Sequence, residues 1–136
     1  MSLKPLFAAV QSTDLSTGLD GLASGAGVSS AEIDNSTDLH KDALISIHVA
    51  GASASTGYVS VYIQKGAATG ATSTTEVPNM DHVCDVQLNG TTAVDKTKLF
   101  KDLPKYYKIR LVNSSGVALA ASGNTVKRTG VNYQDV

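Results

Sequence analysis

Aromatic side chains are scarce in this 136-residue chain: two Phe, five Tyr and no Trp, or 5% of residues. Charged residues are also few, at 17% against the usual quarter. Glu, Lys and Leu seldom recur at helical spacing, which argues against a helical bundle or coiled coil. No apolar run approaches the roughly 20 residues that a membrane-crossing helix needs. The single cysteine, Cys84, cannot form an internal disulfide, so the fold must do without such crosslinks. A formal net charge of −1 gives no whole-chain attraction to nucleic acid or anionic lipid. Neither a membrane partner nor direct nucleic-acid binding is therefore expected.

What the chain has instead is small residues. Gly, Ala, Ser and Thr make up 56 of the 136 positions, and Val (14) outnumbers Leu (12). An apolar fraction of 42% is too high for a wholly disordered chain. The length fits one domain. Near the start, Lys4 precedes the apolar stretch 5–10, which is shorter than the apolar core of a secretion signal and lacks a clear cleavage pattern. Synthesis in a cytoplasm without export is the expectation.

Strict alternation begins at residue 43. Ile45, Ile47 and Val49 share a face against Ser46 and His48. Val59, Val61 and Ile63 repeat this against Tyr58, Ser60, Tyr62 and Gln64; Cys84, Val86 and Leu88 against Asp85 and Gln87; Tyr107, Ile109 and Leu111 against Lys108 and Arg110. A period of two puts one face in a core and the other outside, the behaviour of antiparallel sheets. Segments 51–57 and 66–78 read as loops, and Asn89-Gly90 and Asn113-Ser114-Ser115-Gly116 as hairpin turns. Further strands are expected near 28–33, 117–121 and 125–131. Seven or eight strands predict an all-β fold, an antiparallel β-sandwich or jelly roll.

Residues 1–30 differ in texture. Segment 11–31 is rich in Ser, Thr, Gly and Ala, with isolated Leu15, Leu19 and Leu22 and no sustained period. Alone it buries too little apolar area to offset its ordering entropy. The expectation is an extended N-terminal arm over 1–30, ordered against a neighbour through Leu3, Leu6, Phe7, Leu15, Leu19 and Leu22, and a sandwich domain over 31–136. Charge is segregated too. Residues 1–42 hold two basic and six acidic side chains, and residues 96–128 hold eight basic and one acidic. These either cancel within one fold, the favoured reading, or attract a neighbouring copy.

Few constellations carry chemistry. His82 and Cys84, two apart in a strand, would share a face and could seat part of a metal site or place a base near a thiol. Cys84 also belongs to an apolar set, which predicts an inert buried thiol, and this reading is preferred. The run from Asp34 to Asp38 alternates oxygen donors but has Leu39 where a calcium loop needs glycine, so turns and caps are expected. Gly25-Ala26-Gly27 lacks the context of a nucleotide loop, and no nucleophile elbow is present. The basic stretch 96–110 with Tyr106 and Tyr107 hints at stacking on nucleic acid, but alternation makes Tyr107 a core residue. Tyr58 and Tyr62, on one outward face, form a candidate aromatic contact, for a protein interface before a sugar. The glycosylation patterns at Asn35, Asn89 and Asn113 carry no meaning without secretion. The expectation is no enzyme, no catalytic residue, no metal and no cofactor.

One resemblance ties these features together. Leu22-Ala23-Ser24-Gly25, Ala31-Glu32-Ile33-Asp34-Asn35 and the run Tyr58 to Ile63 resemble small structural proteins of tailed bacteriophages. The run Leu103 to Asn113, followed by Gly116-Val117-Ala118-Leu119 and Gly123-Asn124-Thr125, looks like the same group, the capsid decoration or cement proteins. The resemblance covers most of 20–131 and is one of texture rather than of a diagnostic motif. It implies a β-sandwich on the outer capsid surface that bridges major capsid protein subunits, a homo-oligomer (dimer or trimer) within the virion, and no catalytic residues. A tail, fibre or host-glycan-binding module using Tyr58 and Tyr62 is the alternative.

Overall fold

A computed structural model describes residues 2–53, 56–70 and 80–135. Ten strands account for most of it: β1 (Leu3–Phe7), β2 (Ser12–Leu15), β3 (Gly27–Ser29), β4 (Ile33–Asp34), β5 (Asp42–Val49), β6 (Tyr58–Gly66), β7 (Asp81–Gln87), β8 (Val94–Phe100), β9 (Tyr106–Asn113) and β10 (Thr125–Asp135). A 3-10 turn, Thr17–Leu19, follows β2. No described helix is long and apolar enough to cross a membrane.

The strands form two antiparallel sheets. One runs β1-β10-β5-β8, with β2 also on β10; the other runs β3-β9-β6-β7, with β4 also on β9. The pairs β2 with β10, β3 and β4 with β9, β5 with β8, and β6 with β7 are those of one long antiparallel ribbon folded over itself. That is the connectivity of a jelly roll, and the chain is an all-β sandwich of this kind. Ile45, Ile47 and Val49 of β5 meet Val59, Val61 and Ile63 of β6 and Tyr107, Ile109 and Leu111 of β9 in the fully buried centre. Removing one such side chain would leave a cavity costing about 2–5 kcal/mol.

The two asparagine-glycine turns form, but as crossings between the sheets rather than the expected hairpins, because β7 and β8, like β9 and β10, lie in different sheets. Gly90 has φ 58° in the link from β7 to β8, where Thr92 N–H donates to the Asn89 carbonyl. Asn113 is fully buried; its Oδ1 accepts from Ser115 and its amide donates to Leu22 and Val117 carbonyls. This side chain closes the turn after β9 and ties in the segment around Leu22. Of loop 66–78, residues 71–78 lie outside the described residues, as do 54 and 55 of loop 51–57.

Other expectations change as well. Segment 117–121 makes one isolated bridge, Leu119 with Ala52, rather than a strand. Strand β8 emerges where no alternation marked it, because its sandwich-facing positions include Lys96 and Lys98, opposite the buried Ile47 and Ile45. Residues 1–30 are not a separate arm: β1 and β2 both pair with β10, in the same sheet as β5 and β8. Leu15 and Leu19 lie in the core and Leu22 packs against it, so the apolar area that segment 11–31 seemed to lack is supplied by the sandwich itself.

A bidentate ion pair fixes this segment. Arg128 of β10 donates through Nε (2.9 Å) and Nη2 (3.1 Å) to the Asp14 carboxylate of β2, with the two side chains 15% and 8% exposed. Arg128 lies opposite buried Ile45, so its guanidinium points into the end of the sandwich. Burial works against its charge, but Asp14 and Tyr107 outweigh that and raise its pKa.

Candidate functional site

Two surfaces stand outside the core. The first is a ribbon. Strand β5 ends its pairing with β10 at Asp42 opposite Val131, whereas β1 pairs with β10 from Val131 to Asp135. Beyond Val131, β10 therefore has β1 as its only paired strand among the described residues. Ala8 N–H donates to the Gly130 carbonyl (2.8 Å), which fixes the phase of the ladder. Lys4 and Leu6 then exchange hydrogen bonds with β10, and Leu3, Pro5 and Phe7 turn their backbone groups to the free edge. Pro5 lacks an N–H where that donor would face outward, so it fits the edge and blunts strand addition there.

Several side chains of this ribbon are apolar and exposed, although Val131 is buried. Leu3 is 63%, Leu6 50% and Phe7 52% exposed, with Val10 just beyond at 76%. Phe7 stands beside Val131 and Pro5 beside Tyr133, on the outer face of the sheet. Two side chains tie the ribbon to the sandwich: Tyr133 Oη donates to Asp42 Oδ2 (2.5 Å), and Asn132 Oδ1 accepts the Lys41 N–H (2.9 Å), while Asp42 Oδ1 accepts the Asp102 N–H. That bond to Asp42 raises the Tyr133 pKa. Of the six leucine and phenylalanine positions expected to meet a neighbour, Leu3, Leu6 and Phe7 are placed to do so. Buried Leu15 and Leu19 and half-buried Leu22 are not, because they fill the sandwich.

The second surface lies along β6 and β7. The register slips between Val61, opposite Cys84, and Tyr62, opposite His82, leaving Val83 as an extra residue. This bulge separates His82 from Cys84, which the spacing had placed on one face. Cys84 turns inward, and burial pushes its thiol pKa up. His82 turns outward, its ring edge-on to Tyr62 at 5.4 Å. Asp85 Oδ1 accepts from Ser60 Oγ (2.6 Å) and lies 2.9 Å from His82 Nε2. The Ser60 hydroxyl first, then His82, hold the Asp85 carboxyl below its usual range. Both partners meet the carboxylate rather than each other, so this is no nucleophile with its base.

Next to it, a groove of about 490 Å³ runs between edge strands β7 and β8, lined by Tyr58, Asp85, Val86, Gln87, Val94, Asp95 and Lys96. Tyr58 is exposed, and Lys96 Nζ donates to the Asp85 carbonyl (2.8 Å), linking the two sheets. Tyr62 lies on the same strand face, half-buried and engaged with His82. The two tyrosines therefore differ in role, and only Tyr58 lines the groove.

The remaining sequence candidates resolve into structure. Asp34 Oδ1 accepts from Ser36 N–H and Oγ–H, and Asn35 is buried and bonded to His40, so 34–38 is a turn. No group of three or more His, Cys, Asp or Glu suited to a metal occurs among the described residues. Tyr107 is buried beside Arg128, and burial pushes its pKa to about 12. The Tyr106 ring is covered by Lys105 Nζ, 5.7 Å from its centroid. Sequence reasoning missed Tyr133; its place after Val131 in a strand longer than expected was the available signal.

No family model matches the chain, and no curated protein matches it in sequence. Among solved structures it is similar to the CBM22-1 xylan-binding domain of a Paenibacillus barcinonensis protein: 11% identity, TM-score 0.49, covering 97% of this chain and 86% of that one. It is also similar to a structure of Bacillus endospore appendages, described as disulfide-linked pili, at 10% identity and TM-score 0.38, covering 98% and 90%. A third is an exo-β-1,3-galactanase from Phanerochaete chrysosporium, solved with galactose, at 8% identity and TM-score 0.38, covering 97% of this chain and 30% of that one. Likeness at this level carries no functional conclusion.

Proposed function

We propose that this chain is a structural protein of a tailed-bacteriophage virion, a decoration protein that binds the outer capsid surface and strengthens contacts between major capsid protein subunits. One observation carries the reading: the β1–β10 ribbon holds Leu3, Leu6, Phe7 and Tyr133 outside the core and in solvent. A two-stranded ribbon with apolar exposed faces gains most from being covered. Burying the exposed half of three such side chains contributes about 1 kcal/mol each, weak for one copy but sufficient when many copies cover a lattice. The texture shared with decoration proteins supports the same reading.

Deleting the chain from its virus is expected to leave capsids that assemble but burst at lower temperature. Purified protein added back restores heat resistance, whereas the L3D/F7D variant does not. Capsids whose heat resistance is unaffected by deletion would refute the assignment. A second reading, a host-glycan-binding module of the same virion, is favoured by the open groove in which exposed Tyr58 stands beside Gln87 and Lys96. Glycan-array binding lost in Tyr58→Ala would support it.

A further inference from the structure

The segregated charge of the sequence cancels only in part inside the fold. Five ion pairs occur among the described residues: Lys41–Asp102, His48–Asp95, Lys65–Asp81, His82–Asp85 and Arg128–Asp14. Only Lys41–Asp102 and Arg128–Asp14 join the 1–42 segment to the 96–128 segment. Glu32, Asp34 and Asp38 enter none of them, and neither do Lys96, Lys98 and Lys101.

The topology explains why. Glu32, Asp34 and Asp38 line a pocket of about 350 Å³ on the flank formed by β2 and β4, together with Ser12, Thr13 and the paired Asp14 and Arg128. Lys96 and Lys98 stand on β8, the edge strand of the opposite flank, with Lys101 just after it. Strands β10 and β5 lie between β2 and β8. Three inter-strand spacings of about 4.8 Å separate the flanks by about 14 Å. That exceeds the Debye length of about 8 Å at physiological salt, so the two sets hardly attract each other within one molecule.

Local neutralisation is partial: Lys105 acts on Asp34, Lys96 on Asp85 and Lys101 on Asp102. Glu32 accepts the Gly70 N–H and Asp34 the Ser36 groups, which leaves their charges in place. Lys96 donates to a neutral carbonyl, and Lys98 has no hydrogen bond or ion pair among the described residues. Positive side chains on an edge strand also keep that edge from pairing with arbitrary strands, so a partner has to bring negative charge.

We infer that this protein associates with itself head to tail, the lysine edge β8 of one copy seating against the carboxylate pocket between β2 and β4 of the next. The two surfaces differ, so the contact is heterologous: each added copy presents a fresh acidic and a fresh basic flank, and association continues into a ring or a row. This contact is separate from the β1–β10 ribbon and does not depend on the capsid reading.

The test is sedimentation velocity of the purified wild-type chain over a range of concentrations, at about 20 mM and about 500 mM salt, which bracket strong and weak screening. Concentration-dependent oligomers at low salt, weakened about tenfold or more at high salt, are expected. Two charge-reversed variants complete it. K98E/K101E carries acid on both flanks and E32K/D38K carries base on both, so each alone stays monomeric. Mixed, they pair every flank with its opposite and associate again. Circular dichroism melts establish that both are folded. A wild type that stays monomeric at low salt, oligomers indifferent to salt, or variants that fail to rescue each other would overturn the inference.

Discussion

Replacing Asp14 with alanine tests most sharply whether the N-terminal segment belongs to the sandwich. The change removes two charge-assisted hydrogen bonds, 2.9 and 3.1 Å long, from a guanidinium that is 15% exposed. Stripping one partner from a well-buried pair costs about 3–5 kcal/mol, because the other charge stays desolvated. Arg128 keeps its contact with the Tyr107 hydroxyl and some access to water, so the lower end, about 3 kcal/mol, is expected. For a chain of this size that lowers the melting temperature by roughly 10 °C. Asp14→Leu combined with Arg128→Met leaves no stranded charge and should lose much less than the sum of the single changes. Calorimetric melts at neutral pH provide the measurement. A drop below about 1 kcal/mol for Asp14→Ala would mean that β2 is not fixed on β10, and the reading of residues 1–30 as part of the domain would fail.

Three further outcomes are open to measurement. The Tyr107 pKa is raised by burial from 10.0 to about 12, so the folded state holds that proton more tightly than the unfolded chain. Stability present below pH 10 should therefore fall by about 2–3 kcal/mol as pH rises to 12, a loss that Tyr107→Phe removes from chemical-denaturation curves. The buried Cys84 thiol should react slowly with a thiol reagent in the native protein and at the rate of a free cysteine in denaturant; fast native labelling would refute its inward placement. At Gly130 an added Cβ would collide with the His40 ring, so Gly130→Ala should cost about 1–3 kcal/mol in urea unfolding; no loss would refute that close packing.

Much of the fold was legible because burial and sequence period coincide. Strands β5, β6, β7 and β9 each face the centre with Val, Ile, Leu, Tyr or Cys at alternate positions. Legibility fails where a strand lies at an edge. In β8, Lys96 and Lys98 occupy the inner side yet stay exposed, because the flank opens there instead of closing against β7. In β1 every residue is exposed, so no alternation was imposed on the sequence. The inward turn of Arg128 follows from a single partner, Asp14, more than a hundred residues away, which spacing cannot reveal. The bulge at Val83 likewise shifts His82 to the other face, a half-turn invisible to a count of two. Of the candidate contact residues, Leu3, Leu6 and Phe7 were identifiable as apolar; that Leu15 and Leu19 are spent inside required the sheet pairing.

The central claim is that the β1–β10 ribbon is where this sandwich meets a repeating viral surface. Amide hydrogen exchange of the free protein, compared with the protein bound to capsids lacking it, measures this most directly. Strong slowing at residues 3–8 and 131–134, with the Tyr58–Gln87 groove unchanged, is the expected pattern. Equal exchange of the ribbon in the two states, or slowing confined to the groove, would contradict the account.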